Sequence, residues 1–89
     1  MRTFSRTGQF KKDVKRMERR GKDLSKLRKV LDLLIDEKAL PAEWKDHPLR
    51  GEFAGSRDCH VEPDWVLIYS VDAGHVRFER TGTHNDLFR

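Results

Sequence analysis

Hydrophobic residues in the first third of the chain recur with the period of an α-helix. Phe10, Val14 and Met17 lie at i, i+4 and i+7, which gives one narrow apolar stripe. Thr7 or Ser5 is suited to cap the start of this helix, which we expect to run to about residue 20.

A second helix follows after a short joint. Gly21 suits the end of the first helix, and Asp23 suits the N-cap of the next. Its wide apolar stripe consists of Leu24, Leu27, Val30, Leu31, Leu34 and Ile35. Pro41 lies beyond its end. Because the joint is short, the two helices should form an antiparallel hairpin.

Beyond Gly51 the apolar period shifts toward two, which is typical of β-strands. Residues 41–49 read as a loop, and strands are predicted at 2–6, around Phe53, and at 57–62, 65–71 and 76–83, before a short tail at 85–89. The predicted fold class is α+β. A single domain over residues 1–89 has the order β-α-α followed by a twisted antiparallel β-meander, with the two helices packed on one sheet face.

Alternation along residues 57–62 separates a core face from a polar face. The core face carries Arg57, Cys59 and Val61, and the opposite face carries Asp58, His60 and Glu62. Ionisable groups are seldom buried unless they are paired, so we expect the polar set to lie on the sheet face away from the helices. The apolar run from Trp65 to Tyr69 indicates a central strand.

The last strand leaves one placement open. Under strict alternation Arg80 shares a face with Val76 and Phe78, whereas a bulge near Thr81 and Gly82 would redirect it. The candidates for chemistry are His47, His60, Asp64, Arg80 and His84.

Such a set suits cleavage of an RNA phosphodiester without a metal. Histidine titrates near pH 6.5, about neutral, and arginine can clamp a phosphate with two donors. One group would deprotonate the 2′-OH, a cation would stabilise the phosphorus centre, and a second group would protonate the 5′ oxygen.

Charge and composition narrow the class of protein. The 89 residues carry a formal net charge of +4, with many lysines and arginines in the first third. A basic face suggests nucleic acid, an anionic membrane or an acidic protein partner, although a solvated helix surface would look the same. The single Cys59 and the lack of a signal-peptide pattern or bilayer-spanning run predict a cytoplasmic protein.

A zinc site is the competing interpretation of the histidines. His47, His60, His84 and Cys59 would supply four ligands, yet Cys59 and His60 are neighbours on a strand and point to opposite faces. CxxC and HExxH spacings are absent from the sequence. We therefore predict no metal and no cofactor, and place Cys59 in the core rather than as a nucleophile.

Three segments, KDHPLRG, RDCHVEPDWVLIY and FERTGTHNDLF, closely resemble the YafQ branch of the RelE/ParE toxin superfamily. The resemblance implies a RelE-like fold and a ribosome-dependent mRNA endonuclease. Such a protein is the toxin of a bacterial type II toxin–antitoxin pair and cuts the codon in the ribosomal A site.

The resemblance also implies roles for individual residues. The motif histidines correspond to His47, His60 and His84, the carboxylate to Asp64, the phosphate-stabilising arginine to Arg80, and the substrate-binding positions to Phe88, Trp65 and Lys45. Trp65 reads equally well as a core anchor. We expect His84 to be the general acid, and His60 with Asp64, or His47, to be the base.

The expected partners are a DinJ/RelB-like antitoxin of the ribbon-helix-helix class, the 70S ribosome and mRNA, with no membrane. The free toxin should be monomeric, with a heterotetramer possible in the antitoxin complex. Two other functions stay open at this point. A ParE-like gyrase inhibitor would not need the histidines, and a non-catalytic RNA-binding domain would need exposed aromatic platforms, for which Trp44 and Phe88 are candidates.

Overall fold

The computed structural model describes residues 1–88, and within them it contains five strands and three α-helices. The strands are Thr3–Arg6 (β1), His47–Pro48 (β2), Arg57–Glu62 (β3), Trp65–Asp72 (β4) and His75–Gly82 (β5). The helices are Gly8–Arg19 (α1), Leu24–Ile35 (α2) and His84–Leu87 (α3), and short 3₁₀ turns lie at Ala42–Trp44 and Gly51–Phe53.

Within the described residues the strands form one mixed sheet in the order β1-β5-β4-β3-β2. β1 pairs with β5 in parallel, and the remaining neighbours are antiparallel. β4 is therefore the central strand, as its uninterrupted apolar run predicted. Both predicted helices are confirmed, and the fold is the expected α+β arrangement.

Local sequence sets the starts of both long helices. Thr7 Oγ1 accepts a hydrogen bond from the Phe10 N–H (2.9 Å), and Asp23 Oδ1 accepts one from the Ser25 N–H (3.0 Å). The apolar stripes of α1 and α2 pack on one face of the sheet. The core there is built around Phe10, Met17, Leu27, Val30, Leu34, Cys59, Trp65, Leu67, Tyr69, Val76 and Phe78.

The opposite sheet face carries a second, smaller apolar cluster. Val66 and Ile68 of β4 pack there against Leu87 of α3, with Leu49 and Phe53 at its margin. Two predictions were therefore wrong. Residues 84–87 form a helical turn instead of a tail, and Phe53 lies in a 3₁₀ turn instead of a strand. The predicted tail also includes Arg89, which lies outside the described residues.

A bulge near the end of β3 reverses the expected side of Glu62. The register shifts between His60 and Glu62, and the Glu62 carboxylate accepts hydrogen bonds from Lys22 (2.9 Å) and Lys26 (2.8 Å) beside the joint of the two helices. The prediction that Glu62 shares a face with Asp58 and His60 was wrong, because alternation cannot cross an inserted residue.

A second bulge settles the position of Arg80. Tyr69 pairs with Phe78, and Ile68 pairs with Arg80, so Glu79 is the extra residue in β5. Arg80 is thereby brought into the row of Ile68, on the face opposite the helix-side core. The bulge that the sequence left open is present, two residues earlier than the Thr81–Gly82 pair that suggested it.

Among the described residues, no helix combines the length and the apolar composition that crossing a bilayer requires.

Candidate functional site

The first part of the site is a pair of residues that face each other across β2 and β3. His47 is the register partner of Asp58, and its Nδ1 lies 2.9 Å from Asp58 Oδ1. The same Nδ1–H donates to the Lys45 carbonyl at 2.8 Å, and this is the better-aligned contact. Asp58 Oδ1 is buried, with no aligned hydrogen-bond donor among the described residues.

Asp58 is the residue that the sequence interpretation missed. Its side chain is almost fully buried (3% exposed), and this burial raises the pKa of the carboxyl group. Attraction to His47, His60 and His84 acts in the opposite direction and lowers the pKa of Asp58. Alternation had placed Asp58 beside His60, but its partner His47 lies in a two-residue strand that reads as a loop.

A second carboxylate–imidazole pair joins the β3–β4 turn to α3. His84 Nδ1 donates to Asp64 Oδ1 at 2.7 Å, and the His84 backbone N–H donates to the same oxygen at 3.1 Å. These two hydrogen bonds lower the pKa of Asp64, and the bond from the His84 side chain has the larger effect. The structure thus pairs Asp64 with His84, whereas the sequence interpretation had joined Asp64 to His60 as one of two candidates for the base.

His60 lies between these two pairs. Its ring centroid is 5.3 Å from that of His84, and the rings meet edge to face at 66°. On the far side of His84 stands Phe88, with ring centroids 6.1 Å apart, and Phe88 in turn contacts Phe53 at 5.8 Å. The Phe88 ring is 38% exposed, so an apolar surface is available beside the imidazoles.

Tertiary contacts hold the short α3 in place. Thr83 and Asp86 form a reciprocal capping box, in which each side chain accepts the other's backbone N–H. Arg20, the C-cap residue of α1, donates twice to the Asp86 carboxylate, at 2.7 and 3.2 Å. The hydrogen bonds from Arg20 and Thr83 hold the pKa of Asp86 well below its ordinary range, and the one from Arg20 has the largest effect.

Arg80 lies on the same sheet face, but its side chain is held by a residue of α1 at the edge of the sheet. Its Cα shares a sheet row with Ile68 and Asp58, which places it about 10 Å from Asp58 at ordinary strand spacing. The guanidinium donates to Asp13 of α1 through Nε (2.7 Å) and Nη2 (3.2 Å). This hydrogen-bonded pair keeps the pKa of Arg80 above its ordinary value.

Two motif residues belong to the core. The Trp65 side chain is fully buried on the helix side, and its indole N–H donates to Thr81 Oγ1 at 2.9 Å. Because the Trp65 side chain has no exposed surface, its position fits the core-anchor interpretation. Cys59 is likewise buried in this core, as expected, and desolvation raises its pKa to about 12.

Lys45 is exposed and adopts a left-handed backbone conformation (φ 52°). With Trp44, His60 and Pro63 it lines a pocket of about 320 Å³ beside the histidines. The Lys45 side chain is thus accessible to a substrate bound beside the histidines, and its substrate contact stays a prediction. Within residues 1–88, no group of three His, Cys, Asp or Glu side chains is arranged to hold a metal ion.

Comparison with known proteins places this geometry in a family. Residues 2–89 match the family model described as the bacterial toxin of type II toxin–antitoxin system, YafQ. The curated mRNA interferase toxin YafQ of Escherichia coli K12 is 54% identical over 83 residues, which cover 92% of this chain and 90% of the relative.

Solved structures agree over the full length. The crystal structure of YafQ from Escherichia coli BL21(DE3) superposes with a TM-score of 0.95 at 50% identity, covering 100% of both chains. YafQ in the Escherichia coli DinJ–YafQ complex superposes with a TM-score of 0.93 at 51% identity, again covering 100% of both chains.

Proposed function

Because this chain belongs to the YafQ family of bacterial type II toxins, we propose that it is a ribosome-dependent endoribonuclease that cuts A-site codons without a metal. The two carboxylate–imidazole pairs on one sheet face, His47 with Asp58 and His84 with Asp64, are the observation that carries this proposal. Paired groups of this kind can take a proton on one side of a phosphate and give one on the other.

His84 is the general acid in this scheme. Asp64 holds Nδ1–H of the ring, so Nε2 is the nitrogen left to face the substrate. The adjacent carboxylate stabilises the imidazolium form, which is the form that can donate a proton. His84 would protonate the 5′ oxygen as the P–O5′ bond breaks.

His47 is the general base. It would take the proton of the 2′-OH, and the freed oxygen would attack the adjacent phosphorus to give a 2′,3′-cyclic phosphate and a 5′-OH. The buried carboxylate of Asp58 stabilises the imidazolium that forms on His47, as Asp64 does for His84. His60, next to His84, and Arg80 would stabilise the negative charge that grows on the phosphoryl oxygens.

Dependence on the ribosome is supported by the distribution of positive charge. The exposed lysines and arginines of α1 and α2 lie on the helix layer, whereas the histidines lie on the other face of the sheet. These cations include Lys11, Lys12, Lys15, Arg19 and Lys29. They are therefore placed to contact a large polyanion around the enzyme, such as ribosomal RNA, rather than the scissile phosphate.

Family membership also motivates the partner. The Escherichia coli relative was crystallised with DinJ, and we extend this to a DinJ-like antitoxin for the present chain. An acidic antitoxin segment would be attracted to the same basic helix layer that the ribosome would use.

A single modified mRNA tests the chemistry. Ribosomes programmed with a preferred codon, first located by primer extension on mRNA from expressing cells, are mixed with excess toxin under single-turnover conditions. Removing the 2′-OH of the nucleotide 5′ to the cut should abolish cleavage at that site, and the unmodified message is the matched control.

Other outcomes would overturn the proposal. Continued cutting of the 2′-deoxy message would mean that water or another nucleophile attacks. Equal cutting of naked mRNA would remove the ribosome dependence. Intact mRNA together with blocked DNA supercoiling would indicate a gyrase-directed toxin on the same fold.

A further inference from the structure

Asp13 is a charged side chain with no exposed surface, in the middle of α1. Its carboxylate accepts five hydrogen bonds. The donors are Arg80 Nε (2.7 Å), Arg80 Nη2 (3.2 Å), the Thr81 backbone N–H (3.2 Å), Arg16 Nη2 (3.1 Å) and Gln9 Nε2 (3.1 Å). A buried carboxylate is tolerated when its lone pairs are all engaged, and here two of the five donors come from one guanidinium.

The location of Asp13 explains why it can reach Arg80. β1 pairs with β5 only from His75 to Phe78, so within residues 1–88 no strand lies beside the edge of β5 beyond Phe78. Asp13 fills this gap and accepts the Thr81 N–H that a neighbouring strand would otherwise bind. It therefore fixes the strand directly after the Glu79 bulge, where the direction of Arg80 is decided.

We propose that Asp13 is the positioning residue that orients the Arg80 guanidinium toward the scissile phosphate. This inference rests on the proposed function, in which Arg80 stabilises the phosphoryl oxygens. The two bonds from Nε and Nη2 fix the guanidinium plane, and they leave Nη1 and one Nη2 hydrogen for the substrate. An unanchored arginine would have to lose rotamer freedom at each turnover.

The anchor extends to the general acid. Arg16 Nη2 lies 3.1 Å from Asp13 and 3.9 Å from Asp86, and Asp86 belongs to the helical turn that begins with His84. The polar side of α1 thus contacts both the arginine and the turn that carries the acid.

Single-turnover cleavage on programmed ribosomes tests the proposal with Asp13→Asn, Arg80→Ala and the double variant. Asp13→Asn keeps the size of the side chain and one acceptor oxygen but loses the charge and the bidentate pairing. We expect the maximal cleavage rate to fall on the order of 10–100-fold, the range expected when a catalytic group is misplaced. The ribosome concentration that gives half the maximal rate should stay unchanged.

Epistasis separates positioning from general damage. If Asp13 acts through Arg80, the double variant should be no slower than Arg80→Ala alone. The matched control is Val30→Ala, which is almost equally buried (1% exposed) but lies in α2 and removes core packing from the other long helix. It should lower the melting temperature while leaving the cleavage rate of the folded protein near that of the wild type.

Three results would overturn the inference. A full cleavage rate for Asp13→Asn alongside a slow Arg80→Ala would remove Asp13 and leave the proposed function intact. Multiplicative losses in the double variant would mean that Asp13 acts independently of Arg80. A full rate for Arg80→Ala would remove the role of Arg80 itself and the inference with it. If Asp13→Asn fails to fold, Asp13→Glu is measured by the same cycle, with the same three outcomes.

Discussion

One oxygen of Asp64 binds His84 twice, through the ring Nδ1–H at 2.7 Å and the backbone N–H at 3.1 Å. The carboxylate thus holds both the side chain and the start of the helical turn on which that side chain stands. Asp64 comes from the β3–β4 turn, so His84, the proposed general acid, is fixed relative to the central strand of the sheet.

Replacing His84 by Ala should reduce cleavage on programmed ribosomes by about 10²–10⁴-fold, the usual contribution of a general acid. The fold should persist, because the His84 side chain is half exposed. His75→Ala is the matched control. That histidine binds Thr3 and Ser5 on the exposed edge strand β1, remote from the site in sheet order, and its loss should leave cleavage unchanged. Full cleavage by the His84 variant would remove His84 from the mechanism.

Asp58→Asn should lower the cleavage rate without lowering the free energy of unfolding at neutral pH. Burial raises the pKa of Asp58 in the folded state above its ordinary value of 3.8, which applies to the unfolded state. At a pH between these two pKa values, the folded state holds a proton that the unfolded state has released. Stability from this group therefore falls as pH rises through that window.

Thermal melts of the wild type and Asp58→Asn across acid to neutral pH check this sign. The melting temperature of the wild type should drop relative to that of the variant as pH rises above 3.8. A variant that is much less stable at neutral pH would instead mean that the ionised carboxylate stabilises the fold.

Cys59 should be chemically silent in the folded protein. Its thiol is buried, with the pKa raised to about 12, so little thiolate exists at neutral pH. Native protein treated with iodoacetamide should stay unmodified by mass spectrometry, whereas denatured protein should react fully. Cys59→Ala should keep its cleavage rate and lose on the order of 1–2 kcal/mol of stability through lost packing. Rapid native labelling would contradict the burial.

Trp65→Phe tests whether this residue serves the core or the substrate. The change keeps a large ring and removes the hydrogen bond to Thr81, which should cost about 1–3 kcal/mol in the free energy of unfolding. The cleavage rate below the melting transition should be that of the wild type. A large loss of rate with unchanged stability would mean that the indole contacts RNA after all.

Phe88→Ala should weaken cleavage while sparing antitoxin binding, because its ring stands beside His84 and is open to solvent. Phe4→Ala is a suitable comparison, since Phe4 is also exposed but lies on β1, at the far edge of the sheet. Cleavage on ribosomes and binding of a DinJ-like antitoxin are measured for both variants. Equal loss of both properties in Phe88→Ala would indicate a purely structural role for its ring.

The sequence predicted those features that depend on a few neighbouring residues. Helix starts follow from Thr7 and Asp23, whose side chains cap their own helices. The central strand follows from its unbroken apolar run. The motif residues likewise placed the histidines on the correct face, because His60 alternates with the buried Cys59.

What the sequence missed depends on residues distant in the chain. The bulges that reverse Glu62 and redirect Arg80 are properties of strand pairing, which alternation within one strand does not report. His47 pairs with Asp58 through a strand of two residues, too short to have a periodic signal. The burial of Asp13 depends on where β1 ends. Asp13 also accepts the backbone N–H of Thr81, a residue 68 positions further along the chain.

The shortness of α3 has a consequence for heat tolerance. A single turn of four residues gains almost no stability from its own backbone hydrogen bonds. It is held in place by hydrogen bonds that involve Arg20, Thr83 and Asp64. Such a segment opens at a lower energetic cost than a strand in the middle of a sheet. On warming, the toxin should therefore lose its cleavage activity at a temperature at which the sheet and the two long helices are still folded.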